Sequence, residues 1–211
     1  MKLRTLLLSS LFALLGTTSV AAQEAGKARI GVTAGMNVTN ITELKADSKL
    51  GFNAGLRVDY SFTKNAYFGT GLLWSMKGAM SSESVMGVVS STTKLNPSYL
   101  EIPINIGGRV FLSDDLSLFA ETGPYLAVGV LGKCKIDREI RGVQSNSSSD
   151  FFGDGDNQWG AKRFDAGWGL RAGVEVNHFQ IHLGYEHGFA KLAENTQCKN
   201  WNFNVGLSYM F

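Results

Sequence analysis

Trp201-Asn202-Phe203-Asn204-Val205-Gly206-Leu207-Ser208-Tyr209-Met210-Phe211 is the stretch whose reading decides the fold. With the two-residue period of a β-strand, Trp201, Phe203, Val205, Leu207, Tyr209 and Phe211 share one face. Asn202, Asn204, Gly206, Ser208 and Met210 share the other. The alternation lasts long enough for a tilted strand to cross a bilayer, which takes about 9–11 residues.

Working backwards, the same alternation marks strands over about 29–37, 50–62, 67–76, 99–112, 116–130, 164–176 and 179–187. Short turns, Thr63-Lys64-Asn65, Ser113-Asp114-Asp115 and Asn177-His178, join the second strand to the third, the fourth to the fifth and the sixth to the seventh. The other connections are long. Segments 77–97 and 133–162, rich in Ser, Gly, Asn and Asp, read as irregular loops, as does 188–200. Short turns on one side and long loops on the other are the asymmetry of an outer-membrane barrel. The expected fold is therefore all-β, an eight-stranded antiparallel up-and-down transmembrane β-barrel.

Period two leaves open whether the apolar face looks into a core, as in a lipocalin-like barrel, or into lipid. The opposite face argues for lipid. It carries glycines throughout, among them Gly31, Gly55, Gly69, Gly107, Gly123 and Gly173. Between them stand Arg29, Arg57, Asp59, Glu101, Arg109, Glu121, Asp165, Arg171, Glu175, His182 and Glu186. Glycine weakens a water-facing strand without return, whereas a narrow bore needs room for long side chains and their partners. The charges are expected to form ion pairs inside, since an unpaired buried charge is costly. Such a network reads either as a plug or as a polar pathway for solutes, and the narrow bore of eight strands favours the plug. Tyr60, Phe62, Phe68, Phe179, Tyr209 and Phe211 fall at short-turn ends, and Trp74, Phe164, Tyr185 and Trp201 toward long-loop ends. They are expected to form two interfacial belts.

The N-terminus reads as a secretory signal: Lys2 and Arg4, an apolar run from Leu6 to Leu15, and small residues at Val20-Ala21-Ala22. Residues 1–22 are expected to be removed, leaving 23–211 as a single barrel domain. Losing Lys2 and Arg4 takes the balance from 20 basic and 18 acidic residues to 18 of each. A mature net charge of zero argues against nucleic acid as a partner. Cys134 and Cys198 both fall in expected loops. Export makes a disulfide between them reasonable, but two free thiols fit equally well because no distance can be read.

The fourth strand, Leu100-Glu101-Ile102-Pro103-Ile104-Asn105-Ile106-Gly107, resembles the corresponding strand of the PorT-like outer-membrane β-barrel family. The glycine-rich Asp165-Ala166-Gly167-Trp168-Gly169-Leu170 and the terminal aromatic are similar as well. The resemblance implies an eight-stranded barrel in the outer membrane of a Gram-negative bacterium, and little about activity, because that family is mostly unassigned. Phe211 resembles the terminal signal by which barrel-assembly machinery recognises its clients. Pro103 lacks a ladder donor, so a bulge is expected there.

Chemistry is sparse. Gly69-Thr70-Gly71 and Gly167-Trp168-Gly169 lie within strands rather than at strand-to-helix turns, so they do not read as nucleotide loops. His182 and His187 face opposite ways. Asp150, Asp154, Asp156 and Asn157 lack the spacing of a calcium loop and read as solvated. Glu186, His187 and Ser208 do not share a face and read as no triad. The chain is thus read as a non-enzyme with no catalytic, cofactor or metal residues. Its expected partners are outer-membrane lipid, the assembly machinery, and an unspecified surface ligand or protein met through the external loops. Alternatives are a narrow porin-like channel and an accessory of protein secretion.

Overall fold

The computed structural model describes residues 25–43, 46–85, 89–140, 143–153, 158–193 and 196–211. The expected signal segment lies outside them. Its strands are β1 (Ala28–Ile41), β2 (Asp47–Ser61), β3 (Ala66–Met76), β4 (Ala79–Val85), β5 (Val89–Phe111), β6 (Leu116–Ile140), β7 (Val143–Phe152), β8 (Gln158–Ala161), β9 (Phe164–Val176), β10 (Phe179–Gly188) and β11 (Asn200–Met210). Eight of them close a ring of antiparallel pairs in the order β1-β2-β3-β5-β6-β9-β10-β11, with β11 returning to β1. Closure follows from matched registers such as Val32 opposite Tyr209 and Ala34 opposite Leu207. Every member of the ring has two neighbours, so none of the eight presents an unpaired edge over its paired length.

The orientation of the faces rules out the lipocalin-like reading. Met36 is 61 % exposed, Ile106 68 % and Ile181 60 %, whereas Asp59 is 0 % and Glu121 2 % exposed. The apolar side chains therefore clothe the ring and the charged ones fill it. From Leu118 to Val128 the outward side chains of β6 span roughly 25 Å of height along the ring axis at the tilt of about 40° usual for such barrels.

Three expectations need correction. Segments 77–97 and 133–162 are largely strand: β4, β7, β8 and the outer halves of β5 and β6 build a sheet that continues beyond the ring. Their polar residues are compatible with a ladder because both backbone partners are supplied in register, as with Ser82 opposite Thr92 and Ser91 opposite Arg138. The connection expected over 38–49 is shorter, since β1 runs to Ile41 and β2 starts at Asp47. Finally, no bulge forms at Pro103. Pro103 pairs with Tyr125 in the register that also holds Ile106 opposite Thr122. The ladder misses rungs there without taking in an extra residue, and the Thr70 hydroxyl donates to the Pro103 carbonyl at 2.8 Å.

The bulge instead lies higher. Ser98 faces Leu131 but Tyr99 faces Gly129, so Val130 is the extra residue and β6 changes parity there. Above it Cys134 turns inward opposite Leu95, while Lys133 and Lys135 are exposed. The polarity of the sheet is thereby inverted: below the bulge β6 is greasy outside, above it β6 is greasy inside. On the opposite rim Asn177, at φ 54°, closes the turn between β9 and β10, a conformation that asparagine tolerates.

Candidate functional site in the bore

Alternation brings one residue in two of each ring strand into the bore, and the registers set which of them meet. Near the short-turn end, Arg29 donates to Glu175 at 2.7 Å and Arg109 reaches Glu175 at 3.0 Å. Asp59 stands between Arg29 (3.9 Å), Arg109 (3.6 Å) and Arg57 (2.8 Å). Glu121 accepts from Arg57, from the Tyr67 hydroxyl at 2.8 Å, from Asn105 at 3.0 Å and from Arg171 at 3.3 Å. Arg171 also donates to Gln180 at 3.0 Å and to Ser208 at 3.1 Å. Gly69 is required by this packing, because a Cβ there would sit 2.6 Å from the Arg57 guanidinium.

Toward the long-loop end a second network surrounds Lys77. Its ammonium lies 2.7 Å from Glu101, 3.3 Å from Glu186 and 4.0 Å from Asp165, and 4.3 Å from the centre of the Tyr125 ring. Asn200 donates to Asp165 at 2.9 Å and Asn202 to Glu186 at 3.0 Å. The ten charged residues expected in the bore all contribute, but they divide into these two groups rather than forming one. Sequence reasoning misses Lys77, because the alternation that marks the third strand ends at Met76. The available signal was parity: one more step along Leu73 and Ser75 puts residue 77 on the bore face, where the carboxylates outnumber the arginines.

Between the two groups lies a cavity of about 70 Å³, lined among others by Arg57, Glu101, Tyr125, Arg171, His182 and Glu186. Above the Lys77 group the mouth is closed by an apolar cluster that includes Ile41, Leu95, Tyr99, Phe151, Phe152 and Leu192. Phe152 stands edge-on to Tyr99 at 5.6 Å and to Phe151 at 5.0 Å. Gly129 makes room for it: a Cβ on Gly129 would run into the Phe152 ring. Cys134 and Cys198 are both buried in this cluster, and their thiols are unbonded. Burial pushes the Cys134 thiol above its ordinary value, partly offset by a hydrogen bond with Ser149.

The remaining residues considered from the sequence are dispersed. Ser208 donates to Thr33 at 2.8 Å, Glu186 belongs to the Lys77 group, and the His187 ring lies 6.1 Å from that of Phe189. His182 is inside, with its Nδ1 3.1 Å from Arg171. Asp150 is opposite Lys133 on β7, while Asp154, Asp156 and Asn157 lie outside the described residues. Phe211 packs edge-on to Tyr209 at 5.0 Å and donates its backbone N–H to Ile30.

A ring with a greasy exterior and an ion-filled bore defines a class, the outer-membrane barrels. The chain belongs to the outer membrane protein beta-barrel domain family, whose model matches residues 10–211. Among solved structures it is similar to Ail, the attachment invasion locus protein of Yersinia pestis, at 18 % identity and a TM-score of 0.39, covering 89 % of this chain and 99 % of that one. Neisserial surface protein A is similar at 11 % identity and a TM-score of 0.45, covering 87 % and 97 %. OprG from Pseudomonas aeruginosa is similar at 10 % identity and a TM-score of 0.44, covering 90 % and 99 %. No curated protein matches the sequence.

Proposed function

We propose that this protein is an integral barrel of the Gram-negative outer membrane whose role is structural or surface-interactive, exercised by the sheet that stands beyond the ring. The observation that carries this reading is the double closure of the bore. Ion pairs run across it from Arg29 to Arg171, and the apolar cluster seals the mouth above Lys77. A bore so filled among the described residues works against a continuous water path, so the external sheet is what the molecule presents to partners. The mature domain begins after residue 22 on this reading, and Phe211 serves both as belt aromatic and as the mark read by the assembly machinery.

The test is conductance of the refolded protein in a planar bilayer, alongside a surface-binding assay. Silence, with binding lost when segments 80–94 and 134–149 are replaced by short turns, is the expected result. Discrete conductance steps from the unmodified protein would overturn it. One observation favours a second reading, a narrow channel: the polar cavity between the two networks already holds room for water. On that reading, Lys77→Met and Phe152→Ala would raise the conductance of a protein that already conducts. The Leu100–Gly107 resemblance to the PorT-like family supports a third, an accessory of secretion, testable by capture of a secretion component on the short turns.

A further inference from the structure

Where β6 leaves the ring it changes partners. Through Val128 it pairs with β9, and from Lys133 onward with β7. Between these points Arg163 ties the wall together on that side: its carbonyl accepts from the Gly129 N–H at 2.6 Å and its Nη1 donates back to the Gly129 carbonyl at 2.9 Å. The result is a groove of about 550 Å³, lined among others by Met76, Leu131, Lys133, Lys135, Asp150 and Arg163.

The groove is amphiphilic in a fixed order. Below it Val128 and Phe164 are exposed members of the apolar belt, and Leu131, 62 % exposed, forms the next outward step of β6. Immediately above come Lys133 and Lys135, both exposed on the same outward row. Arg163 is held at the side, its guanidinium 5.2 Å from the Phe152 ring centre. Among the described residues lining the groove, these three cations face one carboxylate, Asp150. Lys94, opposite Lys135, is separately engaged with Asp137 at 3.5 Å.

We infer that this groove binds the phosphorylated headgroup of an outer-leaflet lipid, with acyl chain against Leu131 and Val128 and phosphate between Lys133, Lys135 and Arg163. Ammonium and guanidinium groups are strong donors to phosphate oxygens. Lipid is the occupant, rather than a soluble anion, because the cations begin at the level where the sheet exchanges its greasy outside for a greasy inside. That level is the boundary between hydrocarbon and water on the membrane reading, on which this inference rests.

The experiment uses the mature protein in detergent micelles, with adducts followed by native mass spectrometry. The probes are diphosphoryl lipid A, the same lipid stripped of phosphate, and inorganic pyrophosphate. Diphosphoryl lipid is expected to be retained, with retention falling at least about tenfold in Lys133→Gln/Lys135→Gln, which removes two of the three cations offered to the phosphate. Lys133→Arg/Lys135→Arg should restore it, which separates lost charge from lost folding, and Lys64→Gln in a short turn should leave it unchanged. Equal retention of the dephosphorylated lipid, equal retention by the Gln variant, or pyrophosphate competing as well as the lipid would each overturn the inference. So would capture on immobilised heparin through the same lysines without lipid adducts. A protein that stays monodisperse in water without detergent would instead overturn the membrane reading itself.

Discussion

The ring and the mouth of this molecule solve the same problem with opposite chemistry. In the ring, Ile106 and Ile181 point outward while Arg57, Asp59, Arg109 and Glu121 fill the bore. In the mouth, Leu95, Cys134, Phe151 and Phe152 turn inward while Lys133, Lys135 and the Lys94–Asp137 pair are outside. The backbone architecture is continuous between them, and β5 and β6 run through both. What changes is the solvent each outer surface meets. Hydrocarbon outside makes it favourable to turn polar groups inward, where they neutralise one another; water outside restores the ordinary burial of apolar groups. One extra residue, Val130, lets β6 follow that change by switching which parity faces in.

The largest effect is expected in the ring. Glu121→Ala leaves Arg57 and Arg171 facing each other without their carboxylate, and should cost about 3–5 kcal/mol, the usual penalty for breaking a buried pair. Urea midpoints of the micelle-bound protein, or loss of the folded band on unheated gels, measure it. A shift no larger than that of a surface variant would mean that the bore is wet and screened.

Phe152→Ala should come next, at about 3 kcal/mol, the lower end for removing a large buried side chain. Its effect should be local, because Phe152 packs on the mouth cluster and not on the ring ion pairs. Limited proteolysis is expected to open the segment around 133–152 while the ring fragment stays protected. Global unfolding at the same denaturant concentration would show that the two regions fold as one unit.

Smaller effects sharpen the boundary. Lys94→Ala removes a half-exposed pair and should change stability by less than about 1 kcal/mol, with unfolding midpoints as the readout. Thiol labelling should leave stability unaltered: Cys134 and Cys198 are expected to resist maleimide in the folded protein and both to react after denaturation. An intact mass short of a pair of hydrogens would show instead that they close a disulfide.

The ring was legible because its two faces differ at every step. Leu50, Phe52, Leu56 and Val58 against Gly51, Gly55, Arg57 and Asp59 leave little freedom in register or orientation. The mouth was not. Ser81, Ser82, Thr92, Thr93, Ser145 and Ser147 put small polar residues on both faces, so period two carries no contrast and the segments read as loops. Lys77 was lost for the same reason, one step past the last apolar residue of β3.

Taken alone, the sequence determined the number of ring strands, which residues clothe the ring and which fill it, because a hydrocarbon surroundings imposes an unbroken alternation on each strand. Only the tertiary structure decided how the bore charges divide around Lys77 and Glu121, where β6 shifts parity, and how the mouth is sealed. Those outcomes depend on cross-strand register and on partners far apart along the chain, and no local period records them.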